Sequence, residues 1–498
     1  LYSTYEVTGM LQKGENALAV LLGHGMYHIV GGRYTKFKGS FGEPKLYLQL
    51  HIEHEDGSLT ILTSDRSWKT ALSPITFQCI FGGEDYDARE EIAKWDLPAG
   101  DDSRWPQAEE VEGPGGELSA QDAPPIRVME ELKTVRISQP RPGIYIYDFG
   151  QNFSGWPRLA VRGPRNTTVK MIPGELLDAG GLVSQAGSGK PVWFSYTLKG
   201  KGTETWHPRF SYYGFRYLQV EGAAPASEKP ADAKKARILE LRGQFIHSSA
   251  GRTGSFASSS TLVNRIHDLI LGAIRSNLQS VLTDCPHREK LGWLEVSHLL
   301  GRSLMYNFDL ARFYGKIQND MRDSQTEEGL VPDIAPEYTV FSPDFRDSPE
   351  WGSAFVLDPW YVWLHYGDSR LAERYYAQMK NYVTYLKNKK DQNGMISHGL
   401  GDWYDVGPGP SGYAQLTSKE LTATATYYQN LNSMIHFARL FNRQDDLKEL
   451  TAEAQSIKEL FNKRLYNSEE NYYDKNSQTA NSMPLVVGLA DESLAKPI

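Results

Sequence analysis

The densest run of residues able to do chemistry is TDCPHREKLGWLE, residues 283–295. Pro286 keeps Cys285 out of helical geometry, so Asp284 to Lys290 are expected in a tight loop between two helices. Asp284, Arg288, Glu289 and Trp293 then converge at a helix entrance. A purely structural account also exists, in which Glu289 favours the helix dipole and Arg288 pairs with Asp284. Four further segments repeat the ingredients. VPDIAPEY (331–338), RDSPEWG (346–352), LDPW (357–360) and GDWYDVGPGPSG (401–412) each bring carboxylates beside Trp or Tyr on expected inter-helix loops. A sugar ring has apolar C–H faces and hydroxyl edges, so aromatic platforms and carboxylate hydrogen bonds suit it. Glycoside cleavage needs two carboxyl groups, one kept protonated as general acid. A carboxyl walled by Trp in a dry cleft is pushed toward its protonated form, and Glu289, placed just before Trp293, fits that part. Helix caps and core tryptophans explain each segment singly. Recurrence on successive loops of one helical rim favours a shared cleft.

Other chemistries find little support. GSGKP (187–191) has the GK of a phosphate loop but Ser184 where the first glycine is needed, and Pro191 follows. No G-x-S-x-G elbow is present, which leaves a serine hydrolase without an anchor. His51 and His54 point to opposite faces of a strand, and His24 with His28 reads as an ordinary strand pair, so no metal and no cofactor are expected. Cys79 and Cys285 are the only cysteines, too few for a disulfide framework or a thiolate zinc site. The 53 basic and 61 acidic side chains give a net charge of −8 without a long basic run, which argues against nucleic acid as partner. No stretch of about 18 apolar residues offers a membrane span. With 40% hydrophobic, 23% charged and 12% aromatic residues, the 498-residue chain reads as globular, and its length suggests about three domains. It opens on Leu1 without an initiator Met, so a processed or partial chain is expected.

The elements that must position these residues change character near residue 259. Before it the text is β: ALAVLLGHGMY (17–27), KLYLQLHIEH (45–54), SLTILTS (58–64), IYIYDFGQN (144–152), LAVRG (159–163), TVKMI (168–172) and YLQVEG (217–222) read as strands, with a hairpin turn at EDGS (55–58). Regular strands without intervening helices favour β-sandwiches. The Gly- and Pro-rich stretch 100–125 reads as a linker, and EGAAPASEKPADAKKAR (221–237) as a surface loop. After 259 the period is helical, at about 261–279, 291–307, 309–326, 349–366, 369–389, 418–442, 444–465 and 477–490. Leu262, Ile266, Leu269, Ile270 and Ile274 form one apolar stripe on the first of these, and SPEW (348–351) offers a Ser cap with Pro at the first helical position. Expected boundaries are 1–99 for a first β-sandwich, 100–125 for the linker, 126–222 for a second sandwich, 223–258 for a connecting segment and 259–498 for the helical domain.

DCPHREKLGW resembles the signature of bacterial α-L-rhamnosidases of glycoside hydrolase family 78. The resemblance covers nearly the whole chain. YSTYEVTGMLQKGENALAVLLGHGMY (2–27) is similar to the family's N-terminal β domain, and YDFGQNFSGWPRLAVRG (147–163) with WHPRFSYYGFRYLQVEG (206–222) to its second, concanavalin-like β domain. YNFDLARFYGKIQNDMRDSQ (306–325), VPDIAPEY, SPEWG and GDWYDVGP resemble its catalytic (α/α)6 six-hairpin barrel. The fold implied is therefore multidomain β plus α, two β-sandwiches followed by that barrel. The activity implied is inverting removal of terminal, non-reducing α-L-rhamnose from oligosaccharides, polysaccharides or glycosides. Glu289 falls on the general acid, Asp284 and Arg288 on sugar-binding positions, and Trp293, Trp351 and Trp403 on pocket walls; Asp333 matches a sugar-binding residue.

Three departures from the family pattern accompany this. DCPHRE is one residue shorter than in many members, and Val296 stands where they carry an Asp, with Glu295 or His298 as possible substitutes. The family's general base falls past Ile498 by count, and about eight helices are visible where such a barrel has twelve, so the barrel is expected to be cut short, the first sandwich to begin late and this stretch alone to be inactive. Two other readings remain open: a non-catalytic carbohydrate-binding protein of this architecture, or the same fold acting on another deoxy-sugar. Retention of Asp284, Arg288, Glu289 and Trp293 together favours a hydrolase. Polysaccharide work favours a periplasmic or extracellular location.

Overall fold

The computed structural model describes residues 1–228 and 235–494. The middle of the expected surface loop, 229–234, and the last residues, 495–498, lie outside the described residues.

The β half is organised by one strand. Ile144–Arg162 runs for 19 residues and joins the two expected strands 144–152 and 159–163 into one. Its first part pairs antiparallel with Tyr213–Glu221 and Arg136–Arg141, and its second with Ala236–Ser248 and Glu204–Trp206, so one strand is common to both halves of the sheet. Period-two burial follows from alternation of faces: Phe153, Leu159 and Val161 point into a core completed by Val169, Met171, Phe194, Phe215, Leu218, Val220 and Phe245. Ala236–Ser248 corrects an expectation. The segment 223–258 is expected to connect domains, yet it holds a 13-residue strand paired with Ile144–Arg162, because ILELRGQFI alternates against that core. The buried strand Ala223–Pro225 pairs beside it in parallel.

The N-terminal region gives a hairpin where expected, Gln49–Glu53 against Leu59–Thr63, with His54 N–H closing onto the Ser58 carbonyl across the turn. Residues 17–27 form no strand; Leu18, Val20 and Leu22 stay exposed because no neighbouring strand offers its edge. Ile75–Cys79 and Gly83–Asp87 belong to the sheet of the sandwich, the latter running parallel to Trp193–Thr197.

The helical half contains α1 (Thr261–Asn277), α2 (Glu295–Leu299), α3 (Gly301–Asn307), α4 (Ala311–Ser324), α5 (Pro349–Gly352), α6 (Ala354–Tyr366), α7 (Arg370–Arg374), α8 (Tyr376–Asn388), α9 (Lys419–Leu440), α10 (Gln444–Leu465) and α11 (Gln478–Val487). Each expected helical span is occupied, three of them by a short helix followed by a longer one. The hub is α9, which packs on α5, α6, α8, α10 and α11 and is buried almost all round. Its buried hydroxyls stay satisfied locally, as where Thr426 donates to the Thr422 carbonyl at 2.8 Å. Two local expectations change. LDPW lies inside α6 rather than on a loop, with Asp358 buried and accepting from the Ser297 hydroxyl at 2.8 Å. On α1 only Ile274 of the apolar stripe is buried, while Leu262, Ile266, Leu269 and Ile270 remain exposed: the sandwich and α3 contact the helix along another line. No helix among the described residues is long and apolar enough to cross a membrane.

Candidate active site

The segment between α1 and α2 is fixed from inside and from both β regions. Internally, Asp284 Oδ1 accepts from the Leu291 N–H at 3.3 Å, and Cys285 Sγ accepts from the Glu289 N–H at 3.3 Å. Lys290 takes a left-handed backbone (φ 56°), which reverses the chain directly after Glu289. Its ammonium is buried, donating at 2.8 Å to the carbonyls of Tyr212 and Pro286 and lying 3.8 Å from the centre of the Tyr212 ring. Burial pushes that ammonium down to about 7. Tyr212 immediately precedes the sandwich strand Tyr213–Glu221, whose Gly214 lets Pro286 seat against it. From the N-terminal region the Tyr34 hydroxyl donates to the Arg288 carbonyl at 3.3 Å.

Glu289 sits in the turn ahead of α2, not in the helix, which begins at Glu295. Its carboxylate accepts from Trp293 Nε1–H at 3.0 Å, faces Arg288 Nε at 3.7 Å and pairs with Lys36 Nζ at 3.4 Å. The expected contact with Trp293 is present, but it is a hydrogen bond from the indole N–H, and two cations flank the carboxylate. Among the described residues Arg288 makes no ion pair with Asp284, so the capping account of that pair is corrected. Asp284 is instead half-buried, with burial first and the nearby Glu289 charge second raising it above the usual carboxylate range.

Trp293 forms a bridge with Ile334, and the Leu294 N–H donates to the Asp333 carbonyl at 2.9 Å, tying this segment to the VPDIAPEY loop. Asp333 is fully buried: Oδ1 accepts from the Ser348 N–H at 2.8 Å, while Oδ2 has no partner. Ser348 precedes α5 with Pro349 at its first position, but its hydroxyl donates to the Asp344 carbonyl instead of capping the helix. On α5, Glu350 Oε1 accepts from the Thr422 hydroxyl at 2.6 Å and buried Oε2 is unpartnered. His298 Nε2–H donates to the Glu350 carbonyl at 2.6 Å, joining α2 to α5; burial pushes its imidazole down to about 4. Glu295 at the start of α2 likewise keeps Oε2 buried and unpartnered, and burial pushes it up to about 8. Burial also holds Glu350 above its ordinary value, and Asp333 well above, with the Glu350 and Asp347 charges adding to the latter.

Glu289, Trp293, Asp284, Asp333 and Trp351 are thus gathered around one junction, although Trp351 is core-like, 5% exposed, with a buried indole N–H that has no partner. Trp403 is half-buried one loop away and reaches the junction through Phe345, whose ring lies 5.2 Å from its own. Other carboxylates serve the fold: Asp347 is held by Tyr385, His398 and Lys389, and Asp405 by the N–H groups of Gln415 and Leu416. Glu295, Asp333 and Glu350 each keep one buried oxygen that no protein group satisfies. Sequence reasoning had not assigned Glu350 or Lys36 to the site. Glu350 was visible inside SPEWG beside the chosen Trp351. Lys36 carried no local signal, because only the fold brings its segment to Glu289. Among the described residues no group of three or more His, Cys, Asp or Glu is arranged for a metal ion.

A β-sandwich set against a helical domain, with carboxylates and tryptophans on the helical rim, defines the architecture of a six-hairpin glycosidase with accessory β domains. Three family models match in chain order: the α-L-rhamnosidase N-terminal domain over residues 1–130, the bacterial α-L-rhamnosidase concanavalin-like domain over 138–240, and the bacterial α-L-rhamnosidase 6 hairpin glycosidase domain over 251–497. The chain belongs to the bacterial α-L-rhamnosidase family. An α-L-rhamnosidase of Formosa agariphila is 33% identical over 524 aligned residues, covering 99% of this chain and 53% of that protein. The structure of α-L-rhamnosidase from Dictyoglumus thermophilum superposes with a TM-score of 0.85 at 34% identity, covering 92% of this chain and 51% of that one. The Streptomyces avermitilis α-L-rhamnosidase complexed with L-rhamnose gives 0.81 at 30% identity, with 91% and 42% covered. The chain spans about half the length of the relatives it matches.

Proposed function

We propose that the protein removes terminal, non-reducing α-L-rhamnose from oligosaccharides, polysaccharides or glycosides by an inverting mechanism. The observation that carries this reading is the junction itself, where a partly buried Glu289 oriented by Trp293 stands beside buried carboxyls that have unpaired oxygens. Glu289 acts as general acid: its proton passes to the glycosidic oxygen as the bond from that oxygen to the anomeric carbon breaks. Water adds from the opposite face, and its proton goes to a second carboxylate about 6.5–9.5 Å from the acid. Asp284, Asp333 and Arg288 bind rhamnose hydroxyls, while Trp293, Trp351 and Trp403 wall the pocket; no cofactor is required. A polysaccharide substrate favours a periplasmic or extracellular location.

Assay of the full-length parent protein and its Glu289→Gln variant on an aryl α-L-rhamnoside tests the assignment. The variant is expected to lose about 100- to 10,000-fold in kcat/KM, with the first-formed sugar of the parent carrying inverted anomeric configuration by NMR. Undiminished activity in the variant removes Glu289 from the role. Rhamnoside binding without turnover in the parent would favour a binding protein.

A further inference from the structure

We propose that His287, turned by Glu175 of the sandwich, is a positioning residue for Arg288 and Glu289 and holds them only while its imidazole is neutral. This deepens the rhamnosidase reading and rests on it. Arg288 and Glu289 lie in the turn ahead of α2, where side chains take their backbone groups. The Arg288 N–H donates to His287 Nδ1 at 2.7 Å, the Arg288 carbonyl accepts from the Tyr34 hydroxyl, and the Glu289 N–H donates to Cys285 Sγ. A backbone N–H only donates, so Nδ1 carries no proton while this bond stands. The ring proton then sits on Nε2, which faces Glu175 Oε2 at 3.5 Å. Glu175 directly follows the sandwich strand Thr168–Gly174, so a second domain sets the tautomer and orientation of the ring. The His287 side chain keeps 13% of its surface exposed, which lets a proton reach it.

Of the three side chains that hold this backbone, only the imidazole changes charge near neutrality. Burial pushes the Tyr34 hydroxyl up to about 12 and the Cys285 thiol up to about 11, so both stay protonated. Imidazoles take up their second proton between about pH 8 and 5. A proton on Nδ1 turns the acceptor into a donor aimed at the Arg288 N–H, and that bond is lost. Arg288 and Glu289 thereby lose an anchor on the acid side of neutrality. Neighbouring groups act elsewhere in pH. The Tyr213 ring, 5.8 Å from His287, belongs to a phenol that burial raises. Lys290, which donates to the Pro286 carbonyl, is pushed down to about 7 and stays charged below it. Asp284 is raised above the usual carboxylate range, but its contribution is common to the parent and to variants of His287.

The pH profile of kcat/KM of the full-length parent on an aryl α-L-rhamnoside tests this against three variants. His287→Asn keeps an acceptor near the Nδ1 position and does not titrate. It should hold activity within about threefold of the parent at neutral pH, and keep it to lower pH. His287→Leu offers no acceptor and should lose about tenfold or more at every pH. Glu175→Gln removes a charge that favours imidazolium and should move the acid limb toward lower pH. The same acid limb in the parent and His287→Asn, full activity in His287→Leu, or an unmoved limb in Glu175→Gln overturns the proposal. Hydrogen exchange of the peptide 284–291, corrected for intrinsic rate, reads the anchor without turnover. Its protection should fall between about pH 8 and about pH 5 in the parent and stay level in His287→Asn; equal falls overturn the proposal. Absence of any rhamnoside hydrolysis would overturn the rhamnosidase reading, while exchange at this peptide still judges the positioning.

Discussion

Glu295 shows how burial alone sets the behaviour of one residue. Its carboxyl is pushed from the ordinary 4.5 up to about 8 chiefly by desolvation, with the Asp284 and Glu289 charges adding. Between those values the folded protein holds a proton that the unfolded chain has released. The stability this supplies is complete below about pH 4.5 and is lost as pH rises through 8, an effect of at most about 5 kcal/mol. His298 acts in the opposite sense: its folded value near 4 lies below the ordinary 6.5, so its contribution grows as pH rises from 4 to 6.5. Glu295→Gln isolates the first effect because the amide does not titrate and His298 is retained. Thermal unfolding from pH 5 to 8 should show a steeper fall in Tm for the parent than for the variant. Equal slopes would mean that Glu295 is not a buried acid. At this scale the sequence was most informative where partners lie close along the chain. Glu289 and Trp293 share a motif and meet, whereas the partner that reaches Glu289 from the N-terminal region could not be read from any window.

Among elements, helix existence was legible from the 3.6-residue period, and all eight expected spans are helical. Which face of a helix becomes buried was not. The stripe on α1 announces an apolar partner without saying which surface supplies it, and most of that stripe is exposed. Strand pairing was equally hidden in ILELRGQFI, whose alternation reads as strand only once a core face exists. The loop that carries Glu289 depends on such pairing, since Pro286 seats against Gly214 of Tyr213–Glu221. A Cβ added at Gly214 would stand 2.5 Å from Pro286 Cγ, and Gly214 has no positive φ, so alanine there tests contact rather than backbone freedom. Gly214→Ala should cost about 1–3 kcal/mol of stability, because a tightly packed seat cannot admit a methyl group without displacement. With Glu289 in its proposed role, the displaced loop should lower kcat of the full-length protein on an aryl rhamnoside about tenfold or more, since proton transfer tolerates little misplacement. Unchanged Tm and kcat would show that the Glu289 loop does not rely on this seat.

The molecule as a whole holds the Glu289 loop by gripping both ends of one segment. Lys290 is one end; Gln279, just after α1, is the other. Gln279 Nε2 donates at 2.8 Å to the Ser154 hydroxyl and at 2.8 Å to the Ile246 carbonyl, both in the sandwich. Beside it the Ser248 N–H donates to the Leu278 carbonyl at 2.7 Å, and the Ser280 N–H to the Ser248 hydroxyl at 3.1 Å. The Arg275–Glu130 pair at the rim, 3.1 Å apart and partly exposed, adds little by comparison. Buried hydrogen bonds between domains couple their unfolding, because opening the interface strands polar groups that were satisfied inside it. The parent should therefore unfold in one cooperative transition, with far-UV circular dichroism at the helical minimum and calorimetry giving the same midpoint. Gln279→Leu keeps the bulk but loses both donated bonds, costing about 1–3 kcal/mol in the interface itself. The helical signal should then melt ahead of the sandwich, separating one calorimetric peak into two. Activity should fall with the first. A parent that already melts in two steps, or a variant that still melts in one at the parent's midpoint, would show that the two halves stand independently and that the grip on the Glu289 loop comes from Lys290 and Pro286 alone.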